Sequence, residues 1–323
     1  MQQILRFLPD RFTSALVGTV LLATFLPCRG VAAEAVSQLA VVAIGLLFFL
    51  HGAKLRRAEV LAGMGHWRLH LLIFLFTFVF FPLLGMLGQW LMPHLFPAPL
   101  WIGMIFICAL PSTVQSSIAF TSIARGNVPA AICSAAASSL FGIFLTPVLV
   151  GVMLQAHGAG ISLAKIWDIV LQLLVPFLAG HLLRPIIGDW VDRHRVLLSA
   201  TDRGSILLVV YSAFSAAVVE GLWHMVPLPT LGLIVVANAV LLGIVLSATR
   251  WSARRLGFSR TDEVTIVFCG SKKSLAAGVP MANVLFAGPT LGLIVLPLMI
   301  FHQMQLMICA WLARRYAASA PAE

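Results

Sequence analysis

The distribution of apolar residues divides the chain into ten long hydrophobic runs separated by short polar segments. A run of about 20 apolar residues is long enough to cross a bilayer as an α-helix. The pattern therefore predicts an all-α polytopic membrane protein with ten transmembrane helices. The predicted spans are, in chain order, 12–28, 35–52, 69–93, 100–123, 128–154, 165–187, 204–223, 229–249, 262–286 and 289–313.

Two of the predicted spans, the fourth and the ninth, are interrupted by polar residues. Pro111 removes a backbone donor and Gly270 has a permissive backbone, so both positions are predicted helix breaks. A proline kink without unwinding is the alternative for span four. Unwound backbone at membrane depth is tolerated where it is buried in protein or lines a cavity, and such segments mark transporter binding sites. The predicted substrate-binding residues, which include two from span ten, are Ser112, Thr113, Gln115, Ser116, Ser117, Ser271, Lys272, Lys273, Ser274, His302 and Gln303.

The two adjacent lysines of span nine determine the kind of ligand that the sequence predicts. A lysine at the centre of a bilayer costs about 2.5–3.5 kcal/mol on insertion scales. All acidic residues fall in loops or near the ends of the predicted spans, so no carboxylate is predicted at the depth of Lys272 and Lys273 to neutralise them. Two ammonium groups oppose a cation and attract an anion. Because burial disfavours the charged form of a lysine, proton coupling is also open.

Composition supports the membrane assignment and removes other classes. Hydrophobic residues make up 60% of the chain and charged residues 10%, with a mean hydropathy of +1.01. In a soluble domain about a quarter of the residues are charged, which is far more than in this chain, so we expect the chain to lie in a lipid bilayer. The net charge of +10 is spread over the loops, which argues against nucleic-acid binding. The five cysteines lack metal-ligand spacing, and neither a metal site nor a cofactor is predicted.

The basic residues predict the orientation of the chain. Of 21 basic residues, two are the span-nine lysines and two, Arg29 and Lys165, lie on the side opposite the N-terminus, so 21 − 4 = 17 share the N-terminal side. The positive-inside rule then places both termini in the cytoplasm. The short loops and this charge bias favour a bacterial cytoplasmic (inner) membrane. A cleaved signal peptide is the alternative for span one. If span one is retained, the protein has ten predicted transmembrane helices.

The ten spans divide into two sets of five, of which the second must enter the membrane in the opposite orientation. That is the arrangement of inverted-repeat transporters. Residues 1–160 are the predicted first repeat and residues 161–323 the second. Pro147 of span five has a counterpart in Pro297 of span ten, and the fourth span of each half is the interrupted one.

Two short motifs, together with the ten-span pattern, resemble the bile acid:sodium symporter (BASS) superfamily. They are most similar to its SBF-like branch, which includes the mammalian solute carrier family ten, seventh member. The resemblance implies a panel domain of spans 1, 2, 6 and 7 and a core domain of spans 3–5 and 8–10, in which spans four and nine cross. It also implies organic-anion substrates bound near the crossing. The motifs are Ala124-Arg125-Gly126-Asn127-Val128 and Phe268-Cys269-Gly270-Ser271-Lys272-Lys273-Ser274-Leu275 with Gly278-Val279-Pro280-Met281.

The same resemblance shows where the chain departs from sodium-coupled members. Their sodium ligands fall, in this sequence, at Phe268, Lys272, Lys273, Ser116, Ser117, Ala131 and Ala135. Coupled members carry there, in the same order, a glutamate, a glutamine, an asparagine, a serine, an asparagine and two hydroxyl residues. Most of the implied sodium ligands are therefore missing, and sodium coupling as in the bile acid carriers is not expected. The family's histidine–asparagine pair on span ten is matched by His302-Gln303.

These features predict a secondary transporter of a small organic anion that works by alternating access, with proton coupling or none. One alternative is a membrane regulatory protein of the calcium-homeostasis type that retains a transporter fold. Another is a sodium-coupled organic anion symporter with altered ion sites. An enzyme is not predicted, because the sequence lacks H-E-x-x-H, G-x-S-x-G and P-loop motifs. A homodimer is left open.

Overall fold

A computed structural model describes residues 11–54, 65–155, 163–286, 288 and 290–319. These residues form helices and no strand, which confirms the all-α class. A four-residue turn of helix, Leu222–Met225, precedes α9. In chain order the longer helices are α1 (Arg11–Phe25), α2 (Gly30–Lys54), α3 (Trp67–Leu91), α4 (Ala98–Ala109), α5 (Gln115–Ile123), α6 (Val128–Gln155), α7 (Leu163–Arg193), α8 (Arg195–Val219), α9 (Leu228–Arg255), α10 (Arg260–Gly270), α11 (Leu275–Leu285) and α12 (Leu291–Ala318).

Within the described residues, seven helices are long and apolar enough to cross a membrane: α2, α3, α6, α7, α8, α9 and α12. Their apolar segments run for 24 to 28 residues. At about 1.5 Å per residue, each exceeds the roughly 30 Å hydrocarbon core of a bilayer. The predicted multi-span membrane protein is therefore confirmed. The division into inverted repeats stays a prediction, and its boundary between residues 160 and 161 lies outside the described residues.

Four shorter helices form two interrupted pairs. Helices α4 and α5 have 12 and 9 residues and are separated by residues 110–114. Helices α10 and α11 have 11 residues each and are separated by residues 271–274. Leu110 has the extended conformation (φ −72°, ψ 153°) that steric contact with a following proline imposes, so the helix ends ahead of Pro111. Each half-helix is about 14–18 Å long, roughly half of a hydrocarbon core.

The chain divides into two compact units. The first contains α1, α2, α8, most of α7 and the segment Val279–Val295. Inside it, two glycines let the backbones of α2 and α7 touch. A Cβ atom added to Gly52 would lie 1.9 Å from the carbonyl oxygen of Phe177, and one added to Gly180 would lie 1.9 Å from that of Phe49. Any side chain at either position would force these two helices apart.

The second unit contains α3 to α6, α9, α10, the start of α11 and most of α12. Its helix α3 includes a π-helical segment, Phe76–Phe80. The N–H of Phe81 donates to the carbonyl of Phe76, five residues earlier, and Pro82 follows without an N–H group. The carbonyl of Thr77 therefore loses both of the backbone donors that an α- or a π-helix would supply. That carbonyl becomes part of the site described next.

Candidate functional site

The two helix breaks of the second unit are joined directly by hydrogen bonds. The Ser112 hydroxyl donates to the carbonyl of Cys269 at 2.6 Å, and the Ser117 hydroxyl donates to that of Phe268 at 3.1 Å. Both carbonyls belong to the last turn of α10, where the helix itself supplies no donor. Hydroxyl groups from the first break and from the first turn of α5 thus cap the helix that ends at the second break.

The start of α11 is held by the serines of the second break. The backbone N–H of Ser274 donates to the carbonyl of Pro111 at 2.9 Å. The Ser274 hydroxyl accepts from the N–H of Ala277 at 3.1 Å, as an N-cap residue does. The Ser271 hydroxyl donates back to the carbonyl of Val267 at 2.6 Å. The break is therefore a fixed, fully buried turn.

Gly270 is the last residue of α10, and its backbone is not in the left-handed region. A Cβ atom there would meet Thr249 Cγ2 at 3.3 Å and Phe76 Cβ at 3.5 Å. The missing side chain therefore lets α10 pack closely on α9 and α3. The sequence predicts a different reason for glycine here, namely a backbone conformation that other residues rarely adopt. The described glycines with positive φ are Gly30, Gly221, Gly257 and Gly288.

Lys273 is fully buried, and its ammonium group donates three hydrogen bonds. The acceptors are the carbonyl oxygens of Thr77 at 2.8 Å, Cys108 at 3.0 Å and Leu110 at 2.7 Å. An ammonium group has three donors, so this one is saturated. Two of the carbonyls lie at the end of α4, where the helix dipole favours a cation. The ring centroid of Phe81 lies 4.1 Å from Nζ and adds a cation–π contact.

Lys272 is equally buried but has fewer acceptors. Its Nζ donates to the carbonyl of Ser116 at 2.8 Å. The ring centroids of Phe120 and Phe268 lie 3.9 and 5.4 Å from the same atom. Within the part of the chain that the structure describes, Nζ of Lys272 has one oxygen acceptor and two aromatic faces. Ser116 and Phe120, which contact this ammonium group, are half-buried, whereas Lys272 itself is fully buried.

Gln305 on α12 holds the backbone of Lys273 at both ends. Its Oε1 accepts from the N–H of Lys273 at 2.9 Å, and its Nε2 donates to the carbonyl of Lys273 at 2.8 Å. This pair fixes the orientation of the amide, whose second N–H then points to Nδ1 of His302 at 2.8 Å. Nδ1 of His302 is thus an acceptor, which assigns the neutral tautomer with the proton on Nε2. Gln305 is fully buried and is absent from the predicted site residues.

Most of the predicted residues gather around the facing breaks. Thr113 Oγ1 lies 2.7 Å from Ser116 Oγ and 2.9 Å from Ser117 Oγ, so three hydroxyls form one cluster at the start of α5. Gln115 is exposed as the first residue of α5, and Gln303 is half-buried on α12. The role of all these residues in substrate binding stays a prediction.

The site is rich in cations and backbone dipoles. The contacts of Lys272 and Lys273 within the described residues are carbonyl oxygens and aromatic rings, with no carboxylate. In the same residues, no three His, Cys, Asp or Glu side chains gather as a metal site would require. Within the described residues, the two ammonium groups are therefore held by carbonyl dipoles and aromatic rings.

An all-α membrane protein in which two interrupted helices meet at their breaks has the architecture of a secondary transporter. The chain belongs to the SBF-like CPA transporter family, which matches residues 10–318. Membership of the SBF-like branch of the BASS superfamily, predicted from the motifs, is thereby confirmed. The family is named for transporters, and its relatives with a functional name are called symporters or cotransporters and not enzymes, in agreement with the sequence analysis.

Relatives of known name cover most of the chain. This chain is 62% identical over 314 residues to "Uncharacterized protein PA2026" of Pseudomonas aeruginosa; the aligned region covers 97% of this chain and 94% of that protein. It is 58% identical over 307 residues to "Putative symporter YfeH" of Escherichia coli, covering 95% and 92%. It is 30% identical over 277 residues to "Sodium/bile acid cotransporter 7-B" of Xenopus laevis, covering 83% and 79%.

Proposed function

We propose that the protein is a secondary transporter of a small organic anion, working by alternating access and without the sodium coupling of bile acid symporters. One observation carries the proposal: two lysine ammonium groups, Lys272 and Lys273, are fully buried where the helix breaks meet. Their contacts in the described residues include no carboxylate. A positive charge that is buried and not neutralised favours an anionic ligand.

The same charges argue against a sodium ion at the breaks. A sodium ion close to an ammonium group is repelled, and the repulsion grows as water is excluded. The carbonyl oxygens of Thr77, Cys108 and Leu110 already surround Nζ of Lys273 at 2.7–3.0 Å. The ammonium therefore occupies a ring of oxygens of the kind that binds a small cation. In this proposal Lys273 supplies permanently the charge that a coupling ion would bring.

The helices support the finer architecture that belongs to this proposal. Seven long helices, α1 and the two interrupted pairs add up to ten crossings of the membrane, as two inverted repeats of five would require. The first compact unit gathers the helices of spans one, two, six and seven, and the second those of spans three to five and eight. This grouping supports panel and core domains, although Val279–Val295 joins the first unit.

Coupling and orientation are further parts of the proposal. The similarity to a bacterial protein named as a symporter supports an inner-membrane location, and the excess of basic residues supports cytoplasmic termini. The vertebrate relative is named for sodium and bile acid. The proposal for this chain leaves sodium coupling out because Lys272 and Lys273 are buried at the helix breaks. Proton coupling through His302 would require its contact with Gln305 Nε2 to break, because Nδ1 can take up a proton only when no N–H group donates to it.

The test is a thermal-shift screen of the purified protein in detergent. Potassium salts of benzoate, taurocholate and 4-nitrophenyl sulfate are compared with benzyl alcohol, a neutral control, at several pH values and with choline or sodium. We expect at least one anion to raise the melting temperature equally in choline and in sodium. Stabilisation that requires sodium, or none by any of the anions, would contradict the proposal.

A further inference from the structure

Lys272 and Lys273 are neighbours in sequence but have different surroundings. The ammonium group of Lys273 has three oxygen acceptors at 2.7–3.0 Å, one for each of its N–H bonds. It also holds the end of α4 and the π-helical turn of α3 together. A ligand could bind this group only by displacing a helix terminus, so Lys273 is unsuited to a contact that must form and break in every transport cycle.

Lys272 has the opposite properties. Its ammonium has one oxygen acceptor, the carbonyl of Ser116 at 2.8 Å, among the described residues. The other side of the ammonium faces the ring of Phe120, whose centroid is 3.9 Å away. A charge-assisted hydrogen bond to an anionic oxygen is stronger than a contact with an aromatic face. The two N–H bonds of Lys272 without an oxygen acceptor among the described residues would therefore bind an anionic oxygen more strongly than they bind the ring of Phe120.

The start of α5 completes the surroundings that an anion needs. The hydroxyls of Thr113 and Ser116 lie 2.7 Å apart there, next to the carbonyl that Lys272 contacts. The N-terminus of a helix also carries partial positive charge. Ser116 and Phe120, which both contact Nζ of Lys272, are half-buried, so both residues also reach the surface of the described residues.

Resting on the proposed function, we infer that Lys272 is the lysine that contacts the substrate, through a carboxylate or sulfate group, and that Phe120 covers its ammonium until the anion displaces the ring. Lys273 is a positioning residue that holds the two breaks together. The proposal thus assigns to two adjacent residues of one type a recognition role and a structural role.

The experiment measures the binding of the three anions by thermal shift and by tryptophan fluorescence in wild type and in variants Lys272→Met and Phe120→Leu. Losing the ammonium is expected to weaken binding about tenfold or more, which is the size of a charge-assisted hydrogen bond. Losing the ring is expected to tighten binding, because the anion no longer competes with it. The ligand-free melting temperature of each variant reports whether it is folded.

The outcomes separate this inference from the proposed function. If no anion binds the wild type, the proposed function fails. If an anion binds the wild type and Lys272→Met with equal affinity, the function stands and the inference is overturned. If Lys272→Met does not fold, Phe120→Leu decides: tighter binding supports the role of Lys272, and unchanged or weaker binding overturns it.

Discussion

Replacing Lys273 with methionine removes the ammonium group while keeping an unbranched side chain of similar length. The carbonyls of Thr77, Cys108 and Leu110 then lose their donor inside the protein. Each hydrogen bond to a charged donor is worth about 1.5–3 kcal/mol, so the three sum to about 4.5–9 kcal/mol. The variant regains the cost of burying a lysine at membrane depth, about 2.5–3.5 kcal/mol. We expect a net loss of about 1–6.5 kcal/mol in the free energy of unfolding.

Lys272→Met is the matched control, because it removes the same group one residue away. Here one hydrogen bond, to the carbonyl of Ser116, is lost. Its value of about 1.5–3 kcal/mol is set against the regained burial cost of about 2.5–3.5 kcal/mol, so the variant should lie between a gain of about 2 kcal/mol and a loss of about 0.5 kcal/mol in the free energy of unfolding. The assay is unfolding in mixed micelles of rising SDS fraction, followed by tryptophan fluorescence. Equal stability of both variants, or a larger loss in Lys272→Met, would refute the distinction between the two lysines.

Two further variants test the packing around the site and in the first unit by the same unfolding assay. Gly180→Ala places a Cβ atom 1.9 Å from the carbonyl oxygen of Phe49 and should lower the free energy of unfolding by more than about 2 kcal/mol. The control is Gly45→Ala, where a Cβ atom meets nothing within 4 Å and stability should be nearly unchanged. Similar losses in the two variants would contradict the close contact between α2 and α7. Gln305→Leu removes both hydrogen bonds to the backbone of Lys273 and should lower the free energy of unfolding by about 2–4 kcal/mol. A loss below about 0.5 kcal/mol would show that these two hydrogen bonds are not needed for stability.

The helix pattern could be predicted because it depends on local composition. A run of apolar residues requires a helix in lipid, and Pro111 ends one whatever surrounds it. The ends of the helices were harder to predict from hydropathy. Helix α7 continues to Arg193 and α9 to Arg255, beyond the predicted ends at 187 and 249, because a helix can extend past the apolar run into polar surroundings. Hydropathy marks where lipid begins and does not mark where helical hydrogen bonding stops.

The partners of the two lysines could not be predicted, because they come from distant parts of the chain. Thr77 is 196 residues from Lys273, and Cys108 is 165 residues away. A local signal came close: Pro82 inside an apolar run predicts a free carbonyl four residues earlier, at Phe78. The π-helical segment, which the sequence did not predict, frees the carbonyl of Thr77 instead. Gln305 stood near the centre of span ten, but its pairing with the backbone of Lys273 depends on how α12 packs.

The account depends most on the claim that transport of an organic anion needs the buried lysines and does not need a sodium ion. The direct test is uptake of a stabilising anion into proteoliposomes, with choline or sodium outside, by wild type and by Lys272→Met. We expect wild-type uptake to be equal in choline and in sodium and to be lost in the variant. Uptake that rises with a sodium gradient and persists in both Lys272→Ala and Lys273→Ala would contradict the account.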